Sequence, residues 1–204
     1  IPLRLVGSEM CIRDRKCVEH GAKVVLAARR EDRLKDLCES LGSDNAIFMA
    51  TDVTRKEDLN NIVKYGIDTF NQIDSLVNNA GIMPLSFIEQ GRTDEWDQMI
   101  DVNIKGVLYA IDAVYSHMME RGSGQIINIS SVAGKRLIPG SAVYSGTKFA
   151  VAAISEGLRI ESEGKLQVTC IFPGAFETEL GASIKDEKML EYLTSEAKYA
   201  NLCL

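Results

Sequence analysis

The chain alternates short apolar, β-branched runs with longer segments whose apolar side chains recur at helical spacing. Continuous apolar strands separated by amphipathic helices are typical of a parallel sheet covered by helices on both faces. We therefore predict an α/β fold with a doubly wound parallel sheet in three α/β/α layers. The predicted strands are 23–28, 46–50, 74–78, 125–130 and 166–172, and the predicted helices are 31–41, 55–70, 93–121 and 143–163. Ligands bind such sheets beyond the carboxyl ends of the strands, so residues that follow a strand are the candidates for function.

Composition and charge argue against several classes of partner and against a metal site. A length of 204 residues suits one domain, and a net charge of −6 argues against nucleic acid or an anionic membrane as the main partner. No apolar run approaches the length of a membrane-spanning helix. The five cysteines are scattered without a CxxC pair, which indicates free thiols in a reducing compartment, and we expect the cytoplasm. The two histidines have no second ligand at a useful spacing, so we predict no metal site.

The first fifteen residues differ from the rest. Residues 1–6 could form a short strand, but residues 7–15 have neither a helical nor a strand period. The run VGSEMCIRDR at residues 6–15 resembles a translation of the transposon-end adapter used in sequencing libraries. We interpret residues 1–15 as a non-native segment and residues 16–204 as an incomplete domain. The same ten codons in an unfragmented genomic locus would contradict this hypothesis.

Two arginines follow the first strong strand. In dinucleotide-binding folds an acid at this strand end binds the ribose hydroxyls, whereas an arginine accommodates a 2′-phosphate. Arg29 and Arg30 therefore favour NADP over NAD. The alternative is a solvated pair of charges at the start of a helix.

Tyr144 and Lys148 are four residues apart, on one face of a predicted helix. A phenol with a pKa of about 10 is a poor base at neutral pH, and a nearby ammonium lowers that pKa. The pair can then exchange a proton with an alcohol or carbonyl oxygen. The alternative is a surface lysine beside a packed tyrosine.

Other polar or small residues lie where strands end. Ser131 follows a strand thirteen positions before Tyr144, and its hydroxyl can hold a substrate oxygen for the phenol. The small residues of 79–81 let a ligand approach the backbone after another strand. Asn103 is unfavourable inside a helix, which indicates a local bulge or a special role.

These motifs together resemble the short-chain dehydrogenase/reductase family, single-domain Rossmann-fold oxidoreductases. The resemblance is carried by NNAG at 78–81, the helix asparagine at 103, the serine at 131 with YSGTK at 144–148, and PG at 173–174 with Thr178. It runs from about residue 16 to residue 180. The stretch from residue 81 to residue 151 is similar to the subgroup that acts on small 3-hydroxy acids, which includes serine dehydrogenase-like enzymes.

The resemblance implies a role for each matching residue. Tyr144 is the general acid and base, and Lys148 lowers its pKa and holds the nicotinamide ribose. Ser131 orients the carbonyl, and Asn103 supports a water-linked proton relay. The implied cofactor contacts are Arg29, Arg30, Asp52, Val53, Asn79, Ala80, Gly81, Tyr144, Lys148, Pro173, Gly174 and Thr178. The implied reaction interconverts a small alcohol or hydroxy acid and its carbonyl with NADP(H), and the two long helices imply a homotetramer or homodimer.

The sequence departs from the family at the glycine-rich turn TGxxxGxG. Counting back from Gly21 places the three glycines near positions 4, 8 and 10, which hold Arg4, Ser8 and Met10. That turn brings backbone N–H groups to the pyrophosphate, so we expect this chain to bind cofactor weakly, which can leave it inactive. We expect residues 3–6 to occupy the slot of the first strand, and the last strand to be lacking.

Two alternative functions remain. A nucleotide-binding Rossmann scaffold without catalysis is opposed by the intact set of Asn103, Ser131, Tyr144 and Lys148. A sugar-nucleotide epimerase-like enzyme shares the Tyr–Lys pair, but it normally needs a longer chain with a substrate domain.

Overall fold

Six parallel strands form one sheet in the computed structural model, which describes residues 2–5, 11–174 and 179–192. The spatial order is β3-β2-β1-β4-β5-β6, and every neighbouring pair is parallel. The strands are β1 (Pro2–Leu5), β2 (Val24–Ala28), β3 (Ala46–Ala50), β4 (Ser75–Asn78), β5 (Gly124–Ile129) and β6 (Leu166–Ile171). The order reverses between β1 and β4, which is the point where such sheets bind ligands.

Helices connect the strands and cover both faces of the sheet. They are α1 (Cys11–Glu19), α2 (Glu31–Leu41), α3 (Lys56–Phe70), α4 (Thr93–Ile100), α5 (Gly106–Arg121) and α6 (Ala142–Glu161). A π-helical turn at Asp101–Lys105 joins α4 to α5, and residues 187–192 are also helical. The predicted α/β/α Rossmann fold is confirmed, and the predicted bounds of the elements after residue 20 agree with these to within two residues.

Two apolar clusters fix the layers. Alternate residues of β2 point to opposite faces, so Val25 packs with α3, α5 and α6, whereas Leu26 packs with α2. The first cluster includes the fully buried Leu59, Ile62 and Val114. Both faces of the sheet therefore bury side chains. The polar candidate residues lie at the end of the sheet that is formed by the carboxyl ends of the strands.

The N-terminal segment differs in part from the prediction. The strand β1 lies between β2 and β4, as expected for residues 3–6, although it spans Pro2–Leu5. The helix α1 begins at Cys11, inside the segment where no helical period was found. The reason is topological, because parallel β1 and β2 need a crossover connection and residues 11–19 supply it.

The alignment of the glycine-rich turn by counting back from Gly21 is wrong at its first position. Arg4 lies inside β1, where it is the Cα partner of Val77, so it is a strand residue and not the first residue of a turn. Ser8 and Met10 lie outside the described residues. None of the helices in the described part of the chain has the length and apolar character that a membrane crossing requires.

Candidate active site

Three consecutive residues at the end of β5 contact the first turns of α6. The carbonyl oxygen of Ile129 accepts a hydrogen bond from Lys148 Nζ at 3.0 Å. The Ser130 hydroxyl donates to the Lys148 carbonyl oxygen at 2.9 Å. The Ser131 hydroxyl lies near the Tyr144 phenol, where it favours the ionised form and so opposes a rise in the pKa of that phenol. The structure thus brings together the serine, tyrosine and lysine that the sequence indicated.

A glycine permits this close approach. Ser131 caps a short 3₁₀ turn, Val132–Gly134, by accepting a hydrogen bond from the Ala133 N–H at 3.1 Å. A Cβ on Gly134 would lie 2.6 Å from Ser130 Oγ and 2.9 Å from the Lys148 carbonyl oxygen. A larger residue would therefore push the turn away from α6.

Burial governs the charges of the Tyr–Lys pair. Tyr144 is 5% exposed and Lys148 6% exposed. Burial raises the pKa of Tyr144, and the nearby Ser131 hydroxyl opposes that rise. Burial lowers the pKa of Lys148 to about 8, so its ammonium is mostly protonated at neutral pH.

Our expectation that Lys148 lowers the pKa of Tyr144 stays a prediction. The Lys148 Nζ lies 5.8 Å from the centroid of the Tyr144 ring and donates to a backbone carbonyl. Desolvation of the phenol is the larger influence, and it acts in the opposite direction.

Asn103 lies in the π-helical turn, which confirms the predicted bulge. Its side chain is buried, with Oδ1 accepting from the Ile82 N–H at 2.9 Å. Its Nδ2 donates to the Ile82 carbonyl oxygen at 2.9 Å and to Thr147 Oγ1 at 3.1 Å. Both amide N–H groups are thus used within the protein, which gives this side chain a positioning role; its part in a proton relay stays a prediction.

The residues after β4 lie against this centre. Asn79, Ala80 and Gly81 follow the strand and are half-buried. A Cβ on Gly81 would lie 3.4 Å from Asn103 Oδ1 and 3.5 Å from Lys148 Nζ. Gly81 therefore lies beside the Lys148 ammonium, and the approach of a ligand to the backbone of these residues stays a prediction.

The ends of β2 and β3 place the other predicted contacts at the same edge of the sheet. Arg29 and Arg30 follow β2 and are exposed. After β3, Asp52 Oδ1 accepts hydrogen bonds from the Thr54 N–H at 3.0 Å and from its hydroxyl at 2.8 Å. Val53 packs against Gly106, where a Cβ would lie 2.8 Å from Val53 Cγ2.

The loop after β6 adjoins the Ser131 turn. The carbonyl oxygen of Pro173 accepts a hydrogen bond from the Val132 N–H at 2.9 Å, and a Cβ on Gly174 would meet no atom within 4 Å. Thr178 lies outside the described residues.

Buried apolar side chains pack around Tyr144. Leu85, Met99 and Met189 are buried in one cluster with Tyr144. Ser183 Oγ, from the segment that carries Met189, accepts the Met83 N–H at 3.3 Å. Within the described residues, no group of three or more histidine, cysteine or acidic side chains is placed to hold a metal ion.

Sequence reasoning missed Ser130, Gly134 and Thr147. Each is close in sequence to a residue of the predicted set, but hydroxyls and glycines are common in any chain. Each also has a partner at least fourteen residues away in the sequence, which spacing alone does not indicate.

The family model of short chain dehydrogenases matches residues 6–189, and the chain belongs to this family. An uncharacterized oxidoreductase of Staphylococcus saprophyticus is 51% identical over 174 residues, which cover 84% of this chain and 71% of that protein. An uncharacterized oxidoreductase of Listeria monocytogenes is 45% identical over 182 residues, which cover 87% of this chain and 73% of that protein. The chain is thus similar to oxidoreductases over most of its length.

Solved structures agree with this assignment. Serine dehydrogenase from Escherichia coli superposes with a TM-score of 0.79 at 34% identity, covering 85% of this chain and 82% of that one. A closed form of serine dehydrogenase complexed with NADP⁺ has a TM-score of 0.83 at 35% identity, covering 89% and 76%. A gluconate 5-dehydrogenase from Burkholderia cenocepacia, in complex with NADP and tartrate, has a TM-score of 0.81 at 29% identity, covering 94% and 78%.

Proposed function

We propose that this oxidoreductase uses NADP(H) to interconvert a small alcohol or hydroxy acid and its carbonyl compound. One observation carries the proposal. The Tyr144 phenol lies near Ser131, and the buried Lys148 Nζ lies 5.8 Å from the centroid of its ring, at the edge of the sheet where such folds bind ligands. This arrangement suits proton exchange with an oxygen atom.

Several residues of the described part of the chain suit a nicotinamide dinucleotide. Arg29 and Arg30 are exposed cations beyond β2, which suits a 2′-phosphate. Gly81 leaves space beside the Lys148 ammonium, which has three N–H donors and gives one to Ile129. NADP(H) supplies or accepts the hydride when bound. Serine dehydrogenase and gluconate 5-dehydrogenase, which are similar to this chain, were solved with NADP.

Residues of the chain itself transfer the proton in both directions of the reaction. In carbonyl reduction, the buried Tyr144 stays protonated at neutral pH and donates its proton to the substrate oxygen, which Ser131 holds. In alcohol oxidation, the Ser131 hydroxyl favours the phenolate that accepts the proton, and we expect the positive charge of Lys148 to favour it too. We expect the NADP-bound state to strengthen the second effect, because the oxidised nicotinamide ring is positive.

Assembly is part of the proposal. Large apolar side chains are exposed on the two helices that we expect to form a homodimer or homotetramer, Leu108 on α5 and Phe149 on α6. Light scattering of the wild type and of Leu108→Asp tests this, since a lower mass for the variant is expected. The free thiols of Cys17, Cys38 and Cys170 support our proposal of a cytoplasmic protein.

The reaction is tested by following NADPH consumption with small keto acids, ketones and aldehydes, alongside NADH. We expect turnover with NADPH and a carbonyl substrate once residues 1–15 are replaced by a strand that carries the TGxxxGxG turn, and the kinetic comparisons of variants below use that chain as their wild type. Binding of NADPH without consumption would favour the scaffold, and conversion of a sugar nucleotide without net NADPH loss would favour the epimerase.

Cofactor preference has its own variants. Replacing Arg29 and Arg30 by alanine should raise the KM for NADPH about tenfold or more while sparing NADH. Lys35→Ala, on the exposed face of α2, is the matched control and should change neither. Equal effects on both cofactors would contradict the 2′-phosphate assignment.

A further inference from the structure

Thr147 lies on α6 between the two residues of the Tyr–Lys pair and is 2% exposed. Its hydroxyl donates to the carbonyl oxygen of Tyr144 at 2.7 Å. The same hydroxyl accepts from Asn103 Nδ2 at 3.1 Å. One side chain therefore joins the π-helical turn to the main chain of the tyrosine.

The second of these hydrogen bonds distinguishes Thr147 from other helical threonines. A hydroxyl that bonds a carbonyl one turn back is common in helices. Here its donor, Asn103, is itself fixed by two hydrogen bonds to the backbone of Ile82. The position of α6 is thus tied to the loop after β4, in addition to the Ser130 contact with Lys148.

We propose that Thr147 is a positioning residue that sets the main chain of Tyr144 and, through it, the contact of the phenol with Ser131. This inference rests on the proposed function, because it concerns the geometry of the same acid/base pair. It assigns Thr147 no contact with substrate.

A second hydroxyl on α6 supplies a matched control. Ser155 Oγ donates to the Val151 carbonyl oxygen at 2.7 Å and accepts from Asn128 Nδ2 at 2.8 Å. This is the same bonding pattern two turns further along the helix, away from the phenol. Loss of either hydroxyl leaves one buried asparagine N–H without its acceptor, so the stability costs should be similar.

The experiment compares Thr147→Val, Thr147→Ser and Ser155→Ala with wild type. Thr147→Val keeps the shape but loses the hydroxyl; kcat should fall about tenfold or more with the KM for NADPH within about twofold. Thr147→Ser should restore kcat to within about threefold. Ser155→Ala should lower the melting temperature about as much as Thr147→Val and leave kcat unchanged.

A readout without cofactor separates this inference from the proposed function. Ultraviolet difference titration of each variant against its Tyr144→Phe partner reports the ionisation of that phenol. In Thr147→Val the weakened Ser131 contact should raise the apparent pKa of Tyr144 by roughly half a unit or more, while Ser155→Ala leaves it in place. Thr147→Ala is the second variant if Thr147→Val does not fold.

An unchanged titration in Thr147→Val would overturn the inference, whatever the enzyme's activity. So would an equal loss of kcat in Thr147→Val and Ser155→Ala. If the chain with the restored glycine-rich turn consumes no NADPH but the titration moves as expected, the positioning role stands and the proposed reaction fails.

Discussion

Gly134→Ala tests how closely α6 must approach β5. The added Cβ would lie 2.6 Å from Ser130 Oγ and 2.9 Å from a main-chain oxygen of α6, so the backbone must move. Overpacking of this kind costs about 1–3 kcal/mol, and loss of the hydrogen bond from Ser130 to Lys148 adds about 1 kcal/mol. For a domain of this length, a total of about 2–4 kcal/mol corresponds to a fall in melting temperature of roughly 5–15 °C.

Calorimetry or circular dichroism measures that fall, and Gly146→Ala is the control. Gly146 is an exposed helical position where a Cβ meets no atom within 4 Å, so alanine should raise stability by about 0.5–1 kcal/mol. If Gly134→Ala has the same melting temperature as the wild type, the Ser131 turn does not pack closely on α6 and the reasoning is refuted.

Three further predictions concern stability. Burial lowers the pKa of Lys148 to about 8, so the unfolded chain binds more protons than the folded chain between about pH 8 and about pH 10.5. The free energy of unfolding should therefore rise by about 3 kcal/mol across that window. Denaturant titration of Lys148→Met should show no such rise. Burial, and secondarily Arg121, lowers the pKa of His117, whose Nε2 accepts the Ile73 N–H at 3.2 Å. The contribution of the neutral imidazole to stability is therefore present above about pH 6.5 and lost as the pH falls. The melting temperature should fall less steeply with decreasing pH in His117→Gln than in the wild type. Gly106→Ala should destabilise by about 1–3 kcal/mol because its Cβ would meet Val53, and Val53→Ala in the same chain should recover part of that loss in a double-mutant cycle; additive losses would contradict the contact.

The fold was predictable because its signals are local and repeated. The apolar strands and the helical spacing gave the elements after residue 20, and the parallel sheet followed from their alternation. The helix α1 was missed because residues 11–15 are helical for a topological reason, which is absent from their own pattern.

The candidate site was predictable where chemistry is unusual for its position. Asn103 is a poor helix residue, and the structure places it in a π-helical turn. Ser131, Tyr144 and Lys148 meet because parallel strands end at one edge. The rise in the pKa of Tyr144 could not be predicted, since it depends on how completely the phenol is buried.

The central claim is that the Tyr144 phenol exchanges the proton in a hydride-transfer reaction. The most direct measurement is turnover of Tyr144→Phe beside its NADPH binding, the latter followed by cofactor fluorescence. In the chain with the restored glycine-rich turn, we predict that the variant binds NADPH like its parent and loses nearly all turnover, a fall of about 100-fold or more. Full turnover in Tyr144→Phe would contradict the account.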